Sequence, residues 1–160
     1  MSYLDLESEG RVRPHGLTTA ECKQRVAELL SLAERDLLDA AIVQRPADGR
    51  HNSAYEAARA AADAVLVAEG FRRTGSEGQH AVLFDFLARV ESSGFAARAT
   101  YFDKARRLRN KTHYDRAGIV SPSTAAGALR NAREFIAEVS EWLTLRHPDL
   151  VTVEPSHEED

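Results

Sequence analysis

The sequence predicts an all-α protein, an antiparallel bundle of four to five helices in a chain of 160 residues. Two observations lead to this prediction. Apolar residues recur every three to four positions along successive segments, which places them on one face of a helix. No segment shows the apolar–polar alternation that is typical of a half-buried strand. Helices with one apolar face bury it by packing against one another, and short connections favour antiparallel neighbours.

The first segment with helical spacing follows an N-terminal stretch of little periodicity. We therefore expect residues 1–16 to form a flexible arm and residues 17–148 to form the bundle. Thr18 followed by Glu21 fits a capping box, so a helix should begin there and continue to about Val43. The sequence QRPADGRH interrupts the pattern with proline and glycine. A second, alanine-rich helix is expected from Asn52 or Ser53, with Glu56 completing another capping box, up to Gly70.

Three more helices are expected after the loop FRRTGSEGQ. One is HAVLFDFLARV, and the next begins near Phe95. The last begins after Ser121, an N-cap residue followed by proline at the first helical position, and ends at the sequence RHP. Residues 149–160 are acidic and polar, and we expect them to form a flexible tail.

Composition and charge limit the classes of function. A net charge of −4 argues against a protein that coats nucleic acid, so a nucleic-acid role would need a local basic patch. The single cysteine and the scattered histidines offer no metal-ligand spacing, so we expect no metal and no cofactor. The N-terminus lacks a signal-peptide layout, and the apolar runs are too short for a membrane span. A cytoplasmic protein without membrane contact is expected.

The sequence RLRNKTHYD, at the end of the fourth predicted helix, is the most distinctive in the chain. On a helical wheel the apolar side of this helix is formed by Phe95, Ala99, Phe102 and Ala105. The same side continues with Arg106, Arg109 and His113. The opposite side carries Lys104, Arg107 and Lys111. Because burying an unpartnered arginine is costly, we expect this helix end to face an acidic partner, a cleft or a subunit interface. A basic helix end favoured only by the macrodipole is the alternative.

Three stretches resemble the HEPN-domain family of small bacterial and archaeal helical bundles, over about residues 29–145. They are SAYEAARAAADAVLVAEGFRRTG, RNKTHYD and SPSTAAGALRNAREFIAEVSEWL, and the second is the most specific. Many HEPN proteins are metal-independent ribonucleases that act as toxins or in phage defence. Their signature is an arginine, commonly followed by a polar residue, and a histidine five positions after the arginine. Two subunits bring their signatures together across a symmetric interface.

The resemblance implies site residues within the second stretch. Arg109 and Asn110 match the arginine and the polar residue, Tyr114 stands at the histidine position, and His113 stands one place earlier. The implied reaction is attack of an RNA 2′-hydroxyl on the phosphodiester, with His113 as the candidate base and Arg109 as the phosphate clamp. Asn110 and Tyr114 would position the substrate. RNA, a second copy of the chain, and a cognate antitoxin or nucleotidyltransferase are the implied partners.

Other residues are candidates for RNA contact. Arg106 would be a second clamp, Arg72 and Arg73 would touch the backbone from their loop, and His80 would face the cleft. Between residues 98 and 116, seven basic residues stand against two acidic ones, which favours an anionic partner. Solvated surface charges and a structural histidine are the alternatives. Cys22 is expected to be an inert, packed thiol, and Tyr55 and Trp142 are expected in the core.

Two alternatives to a ribonuclease stay open. A HEPN-like dimer would bind RNA, a nucleotide or a protein without cleaving it, and Tyr114 favours this interpretation because a phenol with a pKa near 10 is a poor base at neutral pH. The third possibility is a helical adaptor whose basic face contacts protein carboxylates.

Overall fold

A computed structural model describes residues 4–75, 79–91, 94–114 and 118–151. Its architecture is the expected all-α helical bundle, with one small antiparallel ladder added at the side. In chain order the elements are α1 Leu4–Ser8, β1 Val12–Pro14, α2 Thr19–Ala40, α3 Ala47–Ala68, β2 Phe71–Arg73, α4 Gln79–Arg89, α5 Phe95–Tyr114, α6 Pro122–Arg146 and a short 3₁₀ turn, Pro148–Leu150.

Helix α3 is the central element and contacts α2, α4, α5 and α6. Its composition explains this position. Alanines are buried on several sides of the helix, from Ala54 at its second turn to Ala68 at its end. Because alanine projects only a methyl group, neighbouring helices approach the α3 backbone closely, and van der Waals contact is gained along its whole length.

The predicted helix ends at Thr18, Gly70 and Ser121 are confirmed. The Thr18 side chain accepts a hydrogen bond from the Glu21 N–H at 3.2 Å, and the Glu21 carboxylate accepts from the Thr18 N–H at 3.1 Å. Ser121 caps α6 through the Thr124 N–H at 3.1 Å, with proline at the first helical position. Gly70 has φ +96°, the left-handed conformation that favours glycine after a helix.

The predicted start of the second helix, at Asn52 or Ser53, is wrong. Helix α3 begins five residues earlier than Asn52, at Ala47, directly after Pro46. Proline is tolerated there because the first N–H groups of a helix have no partner within it. The Ser53 hydroxyl accepts a hydrogen bond from Arg45 at 2.9 Å instead of capping a helix. The earlier start places Asn52 and Glu56 inside the helix, where their side chains reach other elements.

The N-terminal segment differs from the expected flexible arm, because from Leu4 onward it is packed against the bundle. Leu6 and Val12 are 0% and 1% exposed. Strand β1 pairs antiparallel with β2, and Val12 lies opposite Arg73. Arg11 also donates to the Asp85 carboxylate of α4 at 2.8 Å. Three-residue strands are too short to show alternation, so this ladder was absent from the sequence prediction.

The C-terminal end of the bundle extends slightly past the predicted boundary at residue 148. After α6, the 3₁₀ turn places Leu150 in the core at 8% exposure. His147 holds the junction through a 3.0 Å contact with the Glu69 carboxylate at the end of α3. Residues 152–160, most of the predicted acidic tail, lie outside the described residues. Within the described part of the chain, no helix has the length and apolarity needed to cross a bilayer.

Candidate functional site

Helix α5 presents the two sides that the helical wheel predicts. Its apolar side is buried, with Phe95 and Phe102 at 0% exposure. Toward the C-terminus, the same side carries Arg109, whose side chain is 23% exposed. Arg107, on the other side of the helix, is 70% exposed. The arginine at the C-terminal end of α5 is therefore turned toward the bundle, and of the three environments anticipated for it, an acidic partner is present.

The Arg109 guanidinium is held by three side chains of α3. Its Nε donates to Asn52 Oδ1 at 2.6 Å, and its Nη2 lies 3.1 Å from Glu56 Oε1. Its Cζ lies 5.3 Å from the centroid of the Tyr55 ring, within the range of a cation–π contact. These contacts fix the plane and the position of the charge, because a guanidinium donates in a rigid fork.

Tyr55 links Arg109 to helix α4. Its hydroxyl lies 2.8 Å from His80 Nδ1, and its ring is fully buried beneath Arg109. Burial lowers the pKa of His80 to about 4, helped by the nearby Arg59, Arg73 and Arg109 charges. His80 is therefore a neutral imidazole at pH 7. Burial also raises the pKa of the Tyr55 hydroxyl, which stays protonated.

A chain of ion pairs continues from Arg109 along α3 to strand β2. Glu56 Oε2 accepts from Arg59 at 2.7 Å, and Arg59 reaches Asp63 Oδ2 at 3.0 Å. The same Asp63 oxygen lies 3.1 Å from Arg73. Burial raises the pKa of the Asp63 carboxyl, and the opposing effect of Arg73 and Arg59 limits that rise.

We refer to this group of side chains as the polar cluster: Asn52, Tyr55, Glu56, Arg59, Asp63, Arg73, His80 and Arg109. With His80 neutral, it contains three guanidinium groups and two carboxylates, a surplus of one positive charge. Its charged side chains are between 10% and 23% exposed. They are thus shielded from bulk water but accessible from the surface, which strengthens their attraction to an anion relative to that of a solvated charge.

The remaining candidate residues are distributed unevenly around the polar cluster. Arg73 and His80 belong to it. Arg106 lies one turn before Arg109 and is bound to Asp103 at 3.0 Å. Asn110 is exposed. The backbone of α5 continues through the positions of His113 and Tyr114, but these two side chains lie outside the described part of the structure.

Arg72 is exposed on the outer face of the ladder. It lies directly opposite Arg13 of β1, which is also exposed. Like charges at directly opposed positions of two strands repel each other. This arrangement places two exposed arginines at directly opposed positions of the ladder.

Carboxylates of α6 and of α5 itself pair with part of the basic segment between residues 98 and 116. Arg98 is bound to Glu138 at 2.7 Å and to Glu134 at 3.0 Å, both on α6. Arg106 and Arg107 share Asp103. Because Glu134 and Glu138 lie outside this segment, the surplus counted along the sequence overstates the positive field at this surface. Lys104 and Lys111 are its exposed lysines.

The polar cluster includes residues that the sequence analysis missed, namely Asn52, Glu56, Arg59 and Asp63. A signal for them is present in the sequence. They are separated by four, three and four positions, which places them on one face of an otherwise alanine-rich helix. A polar stripe on a helix whose other faces are apolar indicates a partner with polar groups.

Three other residues, Cys22, Tyr55 and Trp142, have the buried environments that the sequence predicts. Cys22 is 6% exposed, its thiol donates to the Val67 carbonyl at 3.4 Å, and burial raises its pKa, so it is the packed thiol that was expected. Tyr55 and Trp142 are buried, as expected. Among the described residues, no three or more His, Cys, Asp and Glu side chains are arranged to hold a metal ion.

Comparison with known proteins adds no family to these observations. No family model matches the chain, no curated protein matches it, and no solved structure matches its fold. The class that the structure defines is therefore an all-α helical bundle with a half-buried polar cluster between α3, α4, α5 and β2.

Proposed function

We propose that this protein is a HEPN-like helical bundle that binds RNA, with Arg109 contacting a phosphate group. The observation that supports the proposal best is the fixed position of the Arg109 guanidinium. It is held by Asn52 and Glu56, and 23% of the side chain remains open to the surface. A charge that is already ordered loses little conformational freedom when a ligand binds, so more of the contact energy appears as affinity.

The charge balance around Arg109 is consistent with an anionic ligand. Glu56 divides its two oxygens between Arg109 and Arg59, so two guanidinium groups share this carboxylate. A phosphate oxygen near Arg109 would add a negative charge to a polar cluster whose side chains, as defined above, carry a surplus of one positive charge. Arg72, paired with Arg13 on the outer face of the ladder, would contact the RNA backbone further along.

RNA cleavage without a metal is the second candidate function. The observation that favours it is the hydrogen bond between Tyr55 and His80, which brings a neutral imidazole next to the aromatic ring that supports Arg109. A neutral imidazole can accept a proton from a 2′-hydroxyl, and an arginine stabilises the charge that develops on the phosphate. With a pKa of about 4, however, His80 is a weak base, so binding is our first proposal.

The resemblance to HEPN proteins extends the proposal to assembly. We propose a homodimer in which the C-terminal ends of both α5 helices, with His113 and Tyr114, face each other. A cognate antitoxin or nucleotidyltransferase is the proposed regulatory partner.

The experiment is a filter-retention assay with labelled single-stranded RNA in EDTA at low salt, followed by gel analysis of the RNA. The wild-type protein should retain the RNA. Arg109→Ala should reduce the affinity by about tenfold or more, because a hydrogen bond to a charged group contributes about 1.5–3 kcal/mol. Lys111→Ala is the matched control, since Lys111 is an exposed cation of the same helix that does not belong to the polar cluster.

Each outcome of this assay has a definite meaning. RNA that is retained and intact supports binding, and RNA that is cut in EDTA supports the ribonuclease. Equal losses for Arg109→Ala and Lys111→Ala would show that the contact is a general effect of charge. Absence of retention by the wild-type protein would contradict both functions.

A further inference from the structure

A second surface feature lies between α4 and α5. It is an open groove of about 530 Å³, which we call the α4/α5 groove. Its volume is in the range of pockets that hold small organic ligands, roughly 300–1,000 Å³. None of its lining residues belongs to the polar cluster.

Small side chains create this groove. Ala81 and Ala88 of α4 face Ala99 of α5 across it, with Phe84 at its base. Larger residues at these positions would close the space between the two helices. These four residues form an apolar floor, which suits the apolar part of a ligand.

Charged side chains form the rim of the groove. Four are basic and two are acidic: Arg11, Lys104, Arg106, Arg107, Asp85 and Asp103. Asp103 is shared between Arg106 and Arg107 at 3.0 and 2.9 Å, and Asp85 is bound by Arg11 at 2.8 Å. Glu9 also lies 3.5 Å from Arg11, and Arg89 lies 3.6 Å from Asp85. The charged residues that line the groove therefore carry a surplus of two positive charges among themselves. Lys104, which is exposed, stands at this rim.

We propose that the α4/α5 groove binds one nucleotide, with its phosphate at the basic rim near Lys104 and Arg107 and its apolar part on the alanine floor. The combination of an apolar floor and a cationic rim requires a ligand that has both an apolar body and an anionic group. Inorganic phosphate alone would leave the floor in contact with water. The inference rests on the proposed function, because it identifies the groove as a subsite for one nucleotide of the RNA.

The test is isothermal titration calorimetry of the full chain at low salt. AMP is the main ligand, and adenosine, inorganic phosphate and a hexaglutamate peptide are the comparison ligands. We expect AMP to bind more tightly than each of the other three. Lys104→Glu should weaken AMP binding about tenfold or more, because it replaces an attractive charge with a repulsive one. Lys111→Glu makes the same charge change on α5 outside the groove, and it should alter AMP binding by less than about twofold.

A second variant tests the shape of the groove without a change of charge. Ala88 lies at the exposed edge of the groove, so Ala88→Phe should fill it and weaken AMP binding while the protein stays folded. Ala97→Phe is the control, because Ala97 is an exposed alanine of α5 that does not line the groove. Circular dichroism melting of both variants verifies that they are folded.

Several results would overturn the inference: no AMP binding, equal weakening by Lys104→Glu and Lys111→Glu, binding of hexaglutamate in preference to AMP, or binding of phosphate as tightly as AMP. The proposed function is judged separately by the effect of Arg109→Ala on RNA retention. RNA retention that depends on Arg109, together with no AMP binding, would contradict the nucleotide site in the α4/α5 groove and support the proposed RNA-binding function. AMP binding without RNA retention would contradict the proposed RNA-binding function and therefore also the role of the groove as an RNA subsite.

Discussion

Replacing Arg109 with alanine removes the contacts that join α5 to α3 at the polar cluster. They include a 2.6 Å hydrogen bond to Asn52, a 3.1 Å ion pair with Glu56 and a cation–π contact with Tyr55. Glu56 keeps Arg59 as a partner, so its charge is not left alone, and the loss should be smaller than for a fully buried pair. Adding about 1 kcal/mol for the hydrogen bond and about 0.5 kcal/mol for each of the other two contacts gives a destabilisation of about 2 kcal/mol.

The measurement is the free energy of unfolding from urea titration, with thermal unfolding as a second assay. A loss of about 2 kcal/mol corresponds to a decrease of roughly 4–8 °C in the melting temperature for a chain of this length. Arg107→Ala is the control. Its pair with Asp103 is 2.9 Å long but 70% exposed at the arginine, so it should cost less than about 0.5 kcal/mol. Arg109→Lys should fall between the two variants, because lysine keeps the charge but loses the planar fork.

An equal loss of unfolding free energy in Arg109→Ala and Arg107→Ala, each relative to the wild-type protein, would refute this reasoning. They would mean that Arg109 is as solvated as Arg107 and that the side chain is not fixed against α3. The proposal that the ordered Arg109 guanidinium binds a phosphate group would then lose its support.

Three further predictions concern the arm, the histidine and the ladder. Leu6→Ala should cost about 2–5 kcal/mol, because Leu6 is fully buried, whereas Leu4→Ala, at 57% exposure, should cost less than about 0.5 kcal/mol by the same urea titration. His80 has a folded-state pKa of about 4, below the ordinary value of 6.5, so the unfolded chain takes up its proton first as the pH falls. The contribution of His80 to the free energy of unfolding should therefore be complete above about pH 6.5 and decline as the pH falls toward 4. The decline should be about 1 kcal/mol after allowance for the partial exposure of His80, and the His80→Gln variant should lack it. Arg72→Glu should raise the unfolding free energy by about 0.2–1 kcal/mol, because it replaces repulsion with Arg13 by attraction, and it should weaken RNA retention.

Each of these predictions has a contrary result. Equal effects of the two leucine variants would mean that the N-terminal segment does not pack against the bundle. A wild-type pH profile identical to that of His80→Gln would mean that His80 is not buried in the folded state. Unchanged RNA retention by Arg72→Glu would exclude the ladder from the proposed RNA surface.

The helices were predictable because their signals are local. The capping box of Thr18 and Glu21 is complete within four residues, and Ser121 and Pro122 mark the start of α6 in the same way. The inward orientation of Arg109 follows from the 100° step per residue, once Phe102 is known to face the core. Such inferences need no knowledge of which helices are neighbours.

The ladder and the start of α3 were not predictable for physical reasons. Val12 and Arg73 pair across sixty-one positions of sequence, and each strand contributes only three residues, so neither shows a period of its own. Pro46 and Gly49 are typical of a loop, yet Pro46 lies just outside the helix, where a missing N–H has no cost, and Gly49 is tolerated in its first turn.

The polar cluster was only partly predictable from the sequence. Arg109 was found from its own helix, but its partners Asn52 and Glu56 belong to a helix whose beginning had been placed incorrectly, so they were assigned to a cap. His80 was recognised as a histidine at a helix start, whereas its hydrogen bond with Tyr55 depends on how α3 packs against α4. Sequence therefore indicates which side chains are unusual, and packing decides which of them meet.

The most direct test of an RNA contact at Arg109 is a nuclear magnetic resonance titration of the arginine Nε–H signals with a short single-stranded RNA. We predict that the Arg109 signal, already ordered by its hydrogen bond to Asn52, shifts as RNA is added, while the signal of Arg35, an exposed arginine of α2, changes little. An Arg109 signal that stays in place while the RNA is bound would contradict the account.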